Sequence, residues 1–450
     1  MGRLFGTDGI RGVYGCDLNS ALATEVGRAL VNVLPKHADR RCRILIGADT
    51  RLSSDLLADS LMVGICEAGG DAAIIGVCST PAVAHLLLKY GYDAGVMISA
   101  SHNPWEYNGI KIFGKDGFKL SDKLENQIEE LILDYDTELL KVKPMGRLDY
   151  LFDAANEYAD YIINSCDGSL KGLKVGIDCA NGSATATAEK IFTTLGAECY
   201  FIAKDPSGAN INENCGSTHI EALQKLVVDN KLDVGIAFDG DADRCLAVDE
   251  HGRVVDGDFI LAILAEKLKG EGRLSGNTLV GTVMSNLGLI KFCERCGIDF
   301  KATKVGDRYV LEELNKYGLS LGGEQSGHII FRDLSTTGDG QLTAAILLSY
   351  INKSGKSLSA LASVMKKYPQ YMINVRTDAI GKAAFNSDET IKTLISEHEA
   401  KMGNGGRILI RPSGTEPLIR VMTEGEDPAL AEEICRSLAT AIERRLLELH

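Results

Sequence analysis

A chain of 450 residues has room for roughly three domains of about 150 residues, and 45% hydrophobic with 24% charged residues is ordinary for a soluble globular protein. The formal net charge of -14 excludes a broad nucleic-acid face, yet a few arginines and backbone N–H groups can still hold one anionic group locally. No secretory leader and no apolar run of membrane-spanning length is visible, and the twelve cysteines are scattered. The expectation is a cytoplasmic protein with reduced thiols and neither a membrane nor a nucleic-acid partner. The lone Cys293-Glu-Arg-Cys296 lacks a second pair or spaced histidines, so it reads as a helical coincidence.

In chain order, Phe5-Gly6-Thr7-Asp8-Gly9-Ile10-Arg11-Gly12 opens as a glycine-rich loop carrying one cation. Helical spacing follows from Leu22 to Val33, with Asn19 or Ser20 as cap and Pro35 as stop. Strands are predicted over 43–47, 72–76, 95–98 and 109–113. Helices are predicted over 54–67 and 81–90, the second with Thr80 as N-cap and Pro81 in first position. Residues 119–149 read as helix and linker. The alternation restarts with strands over 173–178, 199–203 and 233–238 and helices over 184–195 and 219–231. It restarts again with helices over 258–269 and 308–316 and strands over 278–283, 300–303 and 319–322. From about Tyr368 the pattern changes to strands over 371–377, 407–410 and 418–423, with helices over 392–401 and 428–447. The composite is three α/β segments followed by a smaller α+β segment.

The chemistry sits in the loops. Ile98-Ser99-Ala100-Ser101-His102-Asn103-Pro104 ends an apolar strand and exposes a hydroxyl beside an imidazole. That serine is either an ordinary turn residue or a phosphoryl carrier. Asp239-x-Asp241-x-Asp243 also follows a strand. If extended, its alternate positions point one way and converge three hard oxygen ligands suited to Mg²⁺. The same triplet also suits a phosphatase in which a strand-end aspartate is the nucleophile. Gly323-Glu324-Gln325-Ser326-Gly327-His328 offers a carboxylate, an amide, a hydroxyl and an imidazole for sugar hydroxyls. Arg411-Pro412-Ser413-Gly414-Thr415-Glu416-Pro417 offers a phosphate nest backed by Arg411 and Arg420. Phosphoryl transfer uses all of them, with Ser101 as the oxygen nucleophile, the aspartates for a cation, and Arg11, Arg244, Lys111 and Arg308 as clamps.

Taken together and in order, these four loops resemble the α-D-phosphohexomutase superfamily over the whole chain. Gln325, Asp178-Cys179-Ala180-Asn181-Gly182 and Asn214-Cys215-Gly216-Ser217-Thr218-His219 are similar to its amino-sugar branch. One departure, Tyr107 before Asn108-Gly109, is more usual in the mannose/glucose branch. The resemblance implies an α/β fold: three related α/β domains with mixed sheets, plus a C-terminal α+β (TATA-binding-protein-like) domain, around a central cleft. The expected boundaries are 1–150 for the phosphoserine domain, 151–251 for the metal-binding domain, 252–367 for the sugar-binding domain and 368–450 for the phosphate-binding domain. It implies that Ser101 is a phosphoserine that binds Mg²⁺ with Asp239, Asp241 and Asp243. It implies catalytic roles for Ser101, Lys111, His328, Arg11 and His102. Substrate contacts are implied from Arg244, Gly306, Asp307, Arg308, Glu324, Ser326, Arg411, Ser413, Gly414, Thr415 and Arg420. The implied reaction interconverts glucosamine 6-phosphate and glucosamine 1-phosphate through a sugar 1,6-bisphosphate and feeds UDP-N-acetylglucosamine synthesis. A homodimer is a family expectation. The competing readings are a mannose/glucose phosphate mutase, a Mg²⁺-dependent sugar-phosphate phosphatase, and a non-catalytic sugar-phosphate sensor.

Overall fold

The computed structural model describes residues 3–6, 8–134, 143–413 and 417–448. It divides into two compact units, one of residues 1–284 and 298–364, the other of residues 285–297 and 365–450.

The larger unit holds three mixed sheets. The first contains β1 (Ile10–Val13), β2 (Arg43–Ala48), β3 (Asp71–Val77), β4 (Ala94–Ile98), β5 (Tyr107–Gly114) and β6 (Leu148–Tyr150) in the order β1-β5-β4-β2-β3-β6. The second contains β7 (Lys174–Asp178), β8 (Glu198–Ile202), β9 (Val234–Phe238), β10 (Cys245–Asp249) and β11 (Val254–Val255) in the order β11-β10-β9-β7-β8. The third contains β12 (Thr278–Thr282), β13 (Asp299–Thr303), β14 (Leu321–Gly323) and β15 (Ile329–Phe331) in the order β13-β12-β14-β15.

One four-strand pattern recurs in all three. The runs β3-β2-β4-β5, β8-β7-β9-β10 and β13-β12-β14-β15 each pair their first three strands parallel and the last antiparallel. In each, the loop between the third and fourth strands is one of the loops singled out in sequence. The third strand of each run is buried throughout, which is why β4 and β9 read as unbroken apolar runs. A strand buried on both faces must end in a loop before water can be met. Ligand chemistry collects at such carboxyl ends.

The helix Ser20–Val33 is capped by Asn19, whose side chain accepts from Leu22 N. It buries Val26, Ala29 and Leu30 against Leu57, Leu61 and Ile65 of the helix Leu52–Glu67. Each fully buried leucine or isoleucine contributes about 1.5–3 kcal/mol. Two expectations are corrected. The cap of the helix Thr80–Tyr90 is Ser79, not Thr80, because the Thr80 hydroxyl is turned to Asp241. The helix expected over 184–195 is a 3₁₀ turn, Ser183–Ala186, followed by the helix Ala188–Thr194. Thr187 interrupts it at φ -133, and its hydroxyl donates to Gln341 Oε1 at 2.8 Å.

The smaller unit is a three-stranded antiparallel sheet of β16 (Gln370–Arg376), β17 (Gly406–Pro412) and β18 (Leu418–Gly425), with β18 central. Ile419 and Val421 pack on Ile434, Leu438 and Ile442 of the helix Pro428–Glu448. The helix Leu287–Cys296 belongs to this unit, held by Glu424, which accepts from Leu287 N at 2.6 Å and Arg407 Nε at 2.7 Å. That helix carries Cys293 and Cys296 in its last turn.

Candidate active site

Ser101 is 1% exposed and lies three residues past β4. Its Oγ donates to Asp239 Oδ2 at 2.6 Å and lies 3.4 Å from His102 Nδ1. Its φ is +52, a left-handed conformation that a residue with a Cβ adopts only when its surroundings impose it.

Asp239, Asp241 and Asp243 follow β9 and are all buried, with one oxygen from each within 4.8 Å of the others. They converge through a turn rather than through extended alternation: Ala242 sits at φ +53, and Ala242 N bonds back to Asp239 O at 3.1 Å. Asp241 Oδ2 accepts from Lys111 Nζ at 2.6 Å and from the Thr80 hydroxyl. Lys111 Nζ also lies 3.3 Å from Asp8 Oδ2 and 3.7 Å from Asp243 Oδ2. Arg244 Nε is 3.9 Å from Asp239 and 3.8 Å from Asp243. Its guanidinium donates to His102 Nδ1 at 3.1 Å.

The electrostatics follow from burial and crowding. Burial, then the charges of Asp243 and Asp241, pushes Asp239 well above the usual carboxylate range. For Asp243 burial acts upward too, but Lys111, His328 and Arg244 outweigh it and hold it low. Burial would lower Lys111, yet Asp241, Asp8 and Asp243 keep it firmly cationic. Burial, Arg244 and Arg11 push His102 down to about 4, so it is neutral beside the serine. His328 Nδ1 faces Asp243 Oδ2 at 3.5 Å, and Nε2 accepts Gly338 N at 3.0 Å. Against burial, Asp243 and Asp307 lift its pKa to about 9, whereas the Gly338 N–H favours the neutral ring. Nδ1 carries a proton towards Asp243 in both states.

The donor set fits a divalent cation. Three hard carboxylates meet in a buried space, and Asp241 Oδ1 and Asp243 Oδ1 are buried without a hydrogen-bond partner. Buried polar atoms are ordinarily satisfied, so two orphaned oxygens in one cluster mark a place for an oxophilic ion.

The other candidate residues divide. Arg11, on β1 opposite Gly109, pairs with Asp8. The second and third α/β segments meet where Arg244 bridges His328 and Cys245 N donates to Gly327 O at 3.0 Å. Glu324 Oε1 accepts Gly306 N at 3.0 Å, which fixes the loop before Asp307. Asp307 lies 2.7 Å from Lys119 Nζ and 3.7 Å from His328 Nε2. Ser326 is half-buried in the turn before Gly327. Arg308 turns away to pair with Asp122 and Glu312. In the smaller unit Arg411 and Arg420 stand directly opposite each other on β17 and β18. Like charges so placed repel, and burial followed by Arg420 lowers the Arg411 pKa. Ser413 O accepts from Lys382 Nζ at 2.6 Å. Gly414 and Thr415 lie outside the described residues.

Several site residues were not singled out from sequence. Asp8 and Lys119 extend the ion network, with Asp8 held ionised against its burial by Lys111, Lys119 and Arg11. Asp8 was visible in the opening glycine-rich loop as the one carboxylate beside Arg11. Thr80, Asn212, Asp49 and Arg51 had no local signal, since the contacts that tie them to the Ser101 and aspartate loops span 50 or more residues.

Comparison with known proteins agrees with this architecture. Family models of phosphoglucomutase/phosphomannomutase match in order: α/β/α domain I at residues 2–139, domain II at 156–252, domain III at 256–368 and the C-terminal domain at 372–441. A phosphoglucosamine mutase of Acetivibrio thermocellus is 51% identical over 449 residues, covering 99% of this chain and 100% of the relative. One from Caldicellulosiruptor saccharolyticus is 50% identical over 450 residues with the same coverage. Among solved structures, a phosphoglucomutase/phosphomannomutase family protein from Burkholderia thailandensis superposes with a TM-score of 0.80 at 25% identity, covering 99% of this chain and 97% of that one. An Aspergillus fumigatus N-acetylphosphoglucosamine mutase, solved with GlcNAc-6P and magnesium, shares the fold with a TM-score of 0.69 at 15% identity, covering 98% of this chain and 95% of that one. The four domains in order, and full-length identity near one half, place the chain in the phosphoglucosamine mutase family of the phosphohexomutase superfamily.

Proposed function

We propose that this protein interconverts glucosamine 6-phosphate and glucosamine 1-phosphate, as an intramolecular phosphotransferase of the isomerase class that uses Ser101 as the phosphoryl carrier. The observation that carries the reading is the 2.6 Å contact of Ser101 Oγ with Asp239, inside a buried cluster of three aspartates. In the first half-reaction the Oγ–P bond of phosphorylated Ser101 breaks and a bond forms from phosphorus to O1 of the 6-phosphate. The O1 proton leaves and Oγ gains one. The product is the 1,6-bisphosphate. After reorientation the O6–P bond breaks, Oγ–P re-forms, the Ser101 proton passes to the O6 side, and glucosamine 1-phosphate departs. Asp239, Asp241, Asp243 and the Ser101 group would hold a Mg²⁺, which would supply charge neutralisation for the phosphoryl group.

The chain's own residues do the rest. Arg244 donates to the neutral His102 ring beside Ser101, and Arg11 is assigned with them to the phosphoryl group. Lys111 and His328 serve the proton at the sugar hydroxyls, which their positions beside Asp241 and Asp243 support. Glu324, Ser326, Gly306 and Asp307 are assigned to the sugar, and Arg308 would reach it only by leaving Asp122 and Glu312. Arg411, Ser413, Gly414, Thr415 and Arg420 are assigned to the non-transferring phosphate, which the opposed arginines support. We read the protein as cytoplasmic, feeding UDP-N-acetylglucosamine synthesis, with a homodimer as the assembly to test by light scattering. Among the described residues no helix is long and apolar enough to cross a membrane.

Tyr107, 39% exposed at the start of β5, favours a second reading with mannose or glucose phosphates as substrates. One assay separates them: turnover of the Ser101-phosphorylated protein with Mg²⁺ on glucosamine 6-phosphate, mannose 1-phosphate and glucose 1-phosphate, tracking sugar phosphates and free phosphate. Preference for the glucosamine phosphates supports the proposal. Preference for mannose or glucose moves the protein to the second reading. Dominant phosphate release, surviving Ser101→Ala and lost in Asp239→Asn, makes it a phosphatase.

A further inference from the structure

We infer that Arg51, held by Asp49, is the positioning residue that fixes the Ser101 backbone for transfer, whether or not Ser101 carries a phosphate. The inference rests on the reading of Ser101 as phosphoryl carrier. Arg51 and Asp49 are 2% and 1% exposed and paired through Nε and Oδ2 at 2.8 Å. A guanidinium has five N–H donors in a rigid fork, and here all five are used. Nε serves Asp49. Nη1 donates to Pro104 O and to Tyr107 O, the latter at 2.9 Å. Nη2 donates to Ser101 O at 2.9 Å and Asn103 O at 2.8 Å. Four carbonyls across one turn therefore converge on one cation.

Asp49 extends the hold to the other side of Ser101. It accepts from Ser54 Oγ and Ser99 Oγ, each at 2.7 Å. With its only hydroxyl proton given to Asp49, Ser99 Oγ turns a lone pair to Ser101 N at 2.9 Å. Both peptide groups of Ser101 are thus fixed at its left-handed φ of +52, and none of these bonds uses Oγ. A group that gains and loses a phosphate in every cycle needs an anchor that ignores the phosphate. Misplacement of a reacting atom by about 1 Å can cost on the order of a hundredfold in rate.

The test uses the full chain, phosphorylated at Ser101 with occupancy checked by mass spectrometry. Wild type, Arg51→Lys and Ser99→Ala are compared for kcat and KM on glucosamine 6-phosphate with Mg²⁺. Hydrogen exchange of the peptide spanning 99–107 is followed in parallel. Lysine keeps the charge but not the fork, so Arg51→Lys is expected to lower kcat at least a hundredfold with KM within threefold. Ser99→Ala is expected to lower kcat about tenfold. Exchange should quicken over 99–107 and not in the preceding strand. A purely structural role would reduce yield and melting temperature and leave kcat per folded molecule unchanged. The inference is overturned if both variants keep kcat within threefold of wild type, if the loss falls wholly in KM, or if Arg51→Lys does not fold and Ser99→Ala matches wild type. Should wild type release phosphate and make no sugar 1-phosphate, the carrier reading fails instead. The same thresholds then apply to the rate of phosphate loss from Ser101.

Discussion

Replacing Lys111 with methionine tests the electrostatic account of the site most directly. The substitution keeps an unbranched chain of similar bulk and removes one buried charge that sits 2.6 Å from Asp241, 3.3 Å from Asp8 and 3.7 Å from Asp243. Removing one partner of a buried ion pair costs about 3–5 kcal/mol, because the remaining carboxylate is left uncompensated. That loss is expected in EDTA, read as the difference in unfolding free energy between wild type and variant in urea. With saturating Mg²⁺ the difference should narrow, since ammonium and divalent cation draw on the same Asp241 and Asp243 carboxylates. Linkage makes the effect reciprocal: each ~1.4 kcal/mol of narrowing means about tenfold tighter Mg²⁺ binding by the variant. We expect at least that much by titration calorimetry, and the proposed role of Lys111 on the transferred proton predicts a fall in turnover of about 10²–10⁴-fold. If Lys111→Met were as stable as wild type in EDTA, the ion-pair argument would be wrong. An identical difference with and without Mg²⁺, and unchanged Mg²⁺ affinity, would refute the claim that the cation and Lys111 share carboxylates.

Gly340→Ala should damage the aspartate loop from a distance, since a Cβ there would lie 2.2 Å from Arg244 O and 2.9 Å from Ala242 O. A cost of about 1–3 kcal/mol or more is expected, with weaker Mg²⁺ binding, checked by thermal melting and calorimetry. Glu129, 3% exposed, accepts from Arg3 N at 2.8 Å and from Leu4 N and Phe5 N at 2.6 Å. Glu129→Gln sets an amide NH₂ against one of those donors. It should cost about 1–3 kcal/mol and speed limited proteolysis ahead of Ile10, measurable by mass spectrometry. His85 stacks on Tyr161 at 3.8 Å, and burial, then Lys89, lowers its pKa to about 4. Its unfolded value is about 6.5, so the unfolded chain binds the extra proton as pH falls, and the stability present above pH ~6.5 drains away down to about pH 4. Allowing for partial exposure, that is about 2 kcal/mol. Urea unfolding at pH 7 and 4.5 should show it in wild type and show it reduced in His85→Phe.

What the sequence disclosed and what it hid divide along a physical line. The third strand of each sheet was legible because two-sided burial makes an unbroken apolar run, as in 94–98 and 234–238, and because the polar loop after it breaks that run abruptly. The return strand β10 and the helix Gly340–Ser354 were not. β10 follows a loop dense in charge, and the helix buries residues on most of its circumference, leaving no clear periodicity. Ser101 and the three aspartates could be picked out from residue type and spacing at strand ends, and the fold brings them together. How the aspartates converge could not, because it depends on an alanine at φ +53, and nothing in an alanine announces that conformation. Lys111 and Asp241 are 130 residues apart, Asn212 and Ser101 are 111, and Thr80 and Asp241 are 161. Arg51 is the sharpest instance. Its five partners are an aspartate two residues before it and four carbonyls of one turn some 50 residues on, and a carbonyl has no residue identity to read. A side chain that reacts can therefore be nominated from one sequence, whereas a side chain that holds another segment's backbone emerges only once the chain is folded.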